Sequence, residues 1–94
     1  MKEQTFRNVW DAIEDTPAQA AIMTARSDLM IAVQNAVESW DVTKSKAAKR
    51  LKITQPRLNG LLRGRINEFE LDALIELAYE AGLSVTVKIA RKAA

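Results

Sequence analysis

The sequence predicts a mainly α fold: five helices followed by one C-terminal β-strand. Three observations predict it. Apolar residues recur with a period near 3.6 through most of the chain. Thr16, Thr43 and Thr54 each stand just before such a run, where a hydroxyl can cap a helix. After Gly82 the period becomes two, the signature of an extended chain with one apolar face. A length of 94 residues allows one domain. The expected division is an acidic, aromatic segment over 1–16 and the folded domain over 17–94.

Phe6, Val9, Trp10 and Ile13 have helical spacing over 6–15, with a strand as the alternative because Phe, Val and Trp favour it. Thr16-Pro17-Ala18-Gln19 is a helix start: Thr caps, Pro suits the first position, and Gln19 completes a capping box. Ala18 to Trp40 then carry one long helix of about 17–39, and Ser27 marks a place where it could break. Ala47, Ala48 and Leu51 line a short helix over 44–51, and Leu58, Leu61 and Leu62 line another over 55–63. Pro56 lies in the first turn of the latter, where a missing N–H costs little. Leu71, Leu74, Ile75, Leu77 and Ala78 give a fifth helix over 70–81, closed by Gly82. Leu83, Val85, Val87 and Ile89 alternate with Ser84, Thr86, Lys88 and Ala90, which predicts a strand. One strand cannot satisfy its own backbone, so pairing with a second copy is expected, with those four residues as the dimer seam. The tail over 90–94 is expected to fray.

Composition excludes several function classes. There is no His and no Cys. Disulfides, thiolate nucleophiles, Cys-type zinc sites and a Ser-His-Asp triad are therefore out of reach. The carboxylates Glu68, Glu70 and Asp72 have no recognised ligand spacing. The expectation is a protein that is no enzyme and needs no cofactor and no metal. No apolar run nears the roughly 18 residues of a membrane span. The start also lacks a basic stretch followed by an apolar one, so no signal peptide is expected and a cytoplasmic place is.

The net charge of +2 conceals a segregation. Residues 1–42 hold three basic and seven acidic residues, and residues 66–94 hold three and five. Residues 43–65 hold Lys44, Lys46, Lys49, Arg50, Lys52, Arg57, Arg63 and Arg65 with no acid. Such a block is either a solvated face or an electrostatic footprint for a polyanion. The helices assigned to it decide between them. Two short helices joined by a three-to-four-residue turn describe a helix-turn-helix. Ala48 is small where the helices cross, Ile53 fills the turn, and Leu58 faces back toward Ala48. The outward positions of the second helix are then Gln55, Arg57, Asn59 and Arg63. Gln and Asn pair bidentately with adenine, and Arg with guanine.

The segment VTKSKAAKRLKITQPRLNGLLRGR resembles the XRE (Cro/phage-repressor-type) helix-turn-helix. More narrowly, the chain resembles the small antitoxins of HigBA-like toxin–antitoxin modules. NVWDAIED, RSDLMIAV, TQPRLNGLLRGRI, F-x-LD-x-L and the final valine-rich stretch carry that likeness, which covers roughly residues 6–90. It implies a DNA-binding repressor that acts as a homodimer on a palindromic operator and, in a toxin–antitoxin setting, binds a RelE-like toxin. Carried over, Thr54, Gln55, Arg57 and Asn59 face the major groove, Thr43, Lys44 and Lys46 begin the helix that crosses the backbone, and Arg63 and Arg65 hold phosphates. Lys49 and Arg50 point away. Trp10 and Trp40 read as core, with Trp10 alternatively docking a toxin. Asp11, Glu14 and Asp15 are solvated charge or a patch that attracts a basic partner.

Three positions depart from the family pattern. Lys52 stands where Gly is usual in a left-handed turn. Gly60 stands where a polar, often base-reading residue is usual. Glu70 replaces the usual Ser/Thr cap, while Asp72 still favours that helix N-terminus.

Overall fold

The computed structural model describes residues 9–91. These residues form α1 (helical over 9–13), α2 (Pro17–Trp40), α3 (Lys44–Leu51), α4 (Gln55–Leu62), a 3₁₀ turn (Ile66–Glu68) and α5 (Leu71–Glu80). Phe6 and the start of the first expected helix lie outside the described residues, as does the end of the tail from 92.

The caps account for the boundaries. The Thr16 hydroxyl accepts from the Gln19 N–H at 3.1 Å, that of Thr43 from Lys46 at 3.2 Å, and that of Thr54 from Arg57 at 3.3 Å. Each satisfies one of the donors a helix start leaves orphaned. Glu70 makes no such bond at the start of α5, where the Asp72 carboxylate accepts from the Ala73 N–H instead. At its other end α2 stops at Asp41, a non-glycine residue in the left-handed region.

α2 runs unbroken past Ser27, whose side chain is 2% exposed and accepts from the Trp10 indole N–H at 3.0 Å. At 24 residues it is about 36 Å long. The other elements hang on it. Met30, Val33 and Val37 of α2 meet Ala47, Ala48, Leu51, Leu58, Leu61, Phe69, Leu74, Leu77 and Ala78 in one core. Trp40 packs against this core, half-buried, beneath the Arg50 guanidinium at 4.0 Å. Arg26 donates from Nε to the Phe69 carbonyl at 2.8 Å and from Nη2 to the Ile66 carbonyl at 2.7 Å. Gln34 donates to the Leu61 carbonyl at 2.7 Å.

The expected C-terminal β-strand, and with it the strand pairing across a dimer, is overturned. Residues 83–91 form no strand, and none occurs among the described residues. The period-two pattern is real but half used: Leu83 and Val85 pack on the core, whereas Val87 is 75% and Ile89 93% exposed. The backbone of the packed half finds partners other than a strand. The Leu83 N–H donates to the Ala78 carbonyl at 2.9 Å. The Tyr79 hydroxyl accepts from the Val85 N–H at 3.2 Å and donates to the Val85 carbonyl at 3.3 Å. Alternation specifies an extended chain with one apolar face; here a phenol takes the role a neighbouring strand was expected to fill.

Candidate nucleic-acid interface

α3 and α4 are joined by residues 52–54. The join is closed in two ways. Lys52 adopts φ 62, ψ 39, the left-handed conformation usually given to Gly, at a cost of roughly 1–2 kcal/mol. The Ile53 N–H then reaches back to the Ala48 carbonyl at 3.0 Å, a six-to-one bond that ends α3. With Ala47, Ala48 and Leu58 buried between the helices, α4 has its inner side fixed and its outer side open.

The expected site residues divide into three groups. Thr43, Lys44, Lys46, Thr54, Gln55, Asn59 and Arg63 are exposed. Gln55 and Asn59, four apart, share one flank of α4. Arg65 is exposed too, with its guanidinium 3.8 Å from the Glu68 carboxylate. Arg57 is different. It is half-buried, its Nη1 donates to the Glu68 carbonyl at 2.7 Å, and its guanidinium carbon lies 4.1 Å from the centre of the fully buried Phe69 ring. Gly60 is buried on that same flank: a Cβ there would stand 3.6 Å from the Phe69 ring and 3.0 Å from the Glu68 carboxylate. Of the expected seam residues, Leu83 and Val85 are half-buried on the chain's own core, and Val87 and Ile89 are exposed.

The acid-free block of the sequence is not acid-free in space. Glu80 of α5 comes within 3.5 Å of the Lys52 ammonium, and Glu68 reaches Arg65. Arg50 is committed to Trp40 and Arg57 to Phe69. Lys44, Lys46, Lys49 and Arg63 have no ion pair among the described residues. Sequence reasoning missed Arg26, Gln34 and Phe69, which position α4 and the turn after it. Two of them offered a signal: Arg26, as a cation next to the apolar stripe of an otherwise acidic helix, and Phe69, as the first residue of F-x-LD-x-L.

Among the described residues no group of three or more Asp, Glu, His or Cys side chains could hold a metal ion, and no helix is long and apolar enough to cross a membrane. No curated protein matches the chain. Residues 12–90 match a family described as a helix-turn-helix domain. That span takes in α2 to α5 and the extended tail. The chain thus belongs to the helix-turn-helix domain family, in which the second helix of the pair is the DNA-binding one.

Proposed function

We propose that this chain is a sequence-specific DNA-binding transcriptional regulator, a repressor of the XRE class that binds a palindromic operator as a homodimer. The observation that carries the proposal is the exposed flank of α4. Gln55 and Asn59 stand side by side there on a helix whose inner side is fixed, and the unpaired Lys44 and Lys46 open the preceding helix. α4 enters the major groove, Gln55 and Asn59 address base edges, and Thr43, Lys44, Lys46, Thr54, Arg63 and Arg65 hold the backbone. A dimer places two such helices in successive major grooves about 34 Å apart. The exposed Val87 and Ile89, next to half-buried Leu83 and Val85, support an apolar contact between copies at that end of the molecule. Regulation of this kind takes place in the cytoplasm, on the chromosome.

The narrower reading is an antitoxin that represses its own toxin–antitoxin operon. Asp11 and Asp15 are exposed on and beside α1, near the exposed apolar Val9 and Ile13, a surface suited to a basic RelE-like toxin. Gel-shift on the DNA upstream of the chain's own gene tests the regulator: Gln55→Ala and Asn59→Ala weaken specific binding, and unchanged binding by both refutes the groove assignment. Co-expression with the neighbouring gene tests the antitoxin. A neighbour that arrests growth only without this chain supports it, and no such neighbour leaves a stand-alone regulator of a phage or mobile element.

A further inference from the structure

Arg57 sits at the third position of α4, between the two residues assigned to base edges, yet its side chain is turned away from them. Residues two apart on a helix point to nearly opposite sides, so Gln55 and Asn59 share one flank while Arg57 and Gly60 share the other. That second flank rests on Phe69. We propose that Arg57 is a positioning residue and not a base reader: stacked on Phe69 and bonded to the Glu68 carbonyl, it sets the angle at which α4 presents Gln55 and Asn59. This role rests on the DNA-binding function proposed above.

Three observations carry it. First, the guanidinium is engaged: an N–H on Nη1 is bonded to the Glu68 carbonyl at 2.7 Å and the cation lies over the Phe69 ring, 4.1 Å from its centre, so it has to leave both contacts before its two Nη groups can face a guanine. Second, the partner is itself fixed. Phe69 is fully buried, and its own carbonyl accepts from Arg26 Nε at 2.8 Å, while the carbonyl of Ile66, three residues earlier, accepts from Arg26 Nη2. The contacts therefore run from α4 through Arg57 to Phe69 and on through Arg26 to α2. Third, the C-terminal end of α4 has its own anchor in Gln34, which donates to the Leu61 carbonyl. The first turn, which bears Gln55, has the Thr54 cap and Arg57. A planar, delocalised cation is needed for the stack and the hydrogen bond together, so Lys keeps the charge and loses the geometry.

The test uses Arg57→Lys, Arg57→Ala, Gln55→Ala and Asn59→Ala in the full chain, each first checked for a native circular dichroism spectrum. Binding is read by fluorescence anisotropy on the duplex upstream of the chain's own gene that the wild-type chain retains in gel-shift (the operator below), on the same duplex altered at one base pair at a time, and on random DNA. For Arg57→Lys the expected result is about a tenfold loss on the operator with random DNA unchanged. Discrimination falls together at the base pairs that Gln55→Ala and Asn59→Ala relax separately, and at no other. Arg57→Ala behaves alike, with a small additional loss on random DNA for the missing charge. Relaxation at a base pair that neither Gln55→Ala nor Asn59→Ala touches makes Arg57 a reader and overturns the proposal. Full affinity and discrimination in Arg57→Lys overturn it as well. A wild-type chain with no preference for the operator over random DNA refutes the function itself, and this is seen before any variant is compared.

Discussion

Lys52, held in the left-handed region at φ 62, places its ammonium 3.5 Å from the carboxylate of Glu80 on α5. Strain and compensation meet in one residue. The backbone conformation costs roughly 1–2 kcal/mol for an L residue, whereas an exposed ion pair contributes about 0–1 kcal/mol. Lys52→Gly removes both and loosens the unfolded chain by about 0.4–1 kcal/mol. The expected balance is a small stabilisation, a few tenths of a kcal/mol at the middle of these ranges and at most roughly 1.6 kcal/mol, seen as a slightly higher Tm. A lower Tm means that the pair and the freer unfolded chain together outweigh the strain.

Gly60→Ala also stabilises. The added Cβ meets the Glu68 carboxylate at 3.0 Å, the far end of a half-exposed side chain that can yield, and meets the Phe69 ring at an ordinary 3.6 Å. The gain in helix propensity is up to about 1 kcal/mol. Urea unfolding measures it, and a loss shows that Glu68 is held more firmly than its exposure implies.

Arg26→Met leaves the Ile66 and Phe69 carbonyls without the guanidinium that now serves both. Hydrogen bonds to charged groups contribute about 1.5–3 kcal/mol each, and part of that is regained from water, so a loss of roughly 2–3 kcal/mol is expected in the same assay. Arg26→Lys recovers only part of it, because an ammonium has no fork.

DNA binding separates the two kinds of exposed residue. Gln55→Ala or Asn59→Ala costs roughly 1–3 kcal/mol at the base pair it addresses and little elsewhere. Lys44→Ala and Lys46→Ala weaken binding to every sequence and each lower the slope of log K against log salt by about 1. Titrations at several salt concentrations distinguish them. A sequence-selective effect of Lys44→Ala contradicts its place on the backbone.

The helices were legible in the sequence because their causes are local. A threonine and the amide three residues on, or a leucine and its neighbours one turn away, lie within a few positions of each other. The left-handed Lys52 was expected from the resemblance alone, in which Gly is usual at that place. What the sequence hid depends on partners far along the chain. The alternation after Gly82 announced an extended backbone but could not announce that Tyr79 would serve it. Arg57 looked like a groove residue because its spacing fits, and Phe69, twelve residues on, is what turns it aside. The basic block looked uniform because it was read as ending at Arg65, three residues short of Glu68, and because Glu80 comes near Lys52 only when α5 packs.

Those two acids also shape how the molecule meets its target. Pairing at Lys52 and Arg65 leaves the strongest unbalanced charge at Lys44, Lys46, Lys49 and Arg63. At physiological salt that field fades over about 8 Å. It therefore says little at long range and much in the last nanometre of approach. On the DNA-binding reading proposed above, a duplex that arrives over α3 meets these cations, and one that arrives from the side of Asp11 and Asp15 meets like charge. On that reading, charge neutralised by the two surface ion pairs makes the collision itself selective, before any base is read.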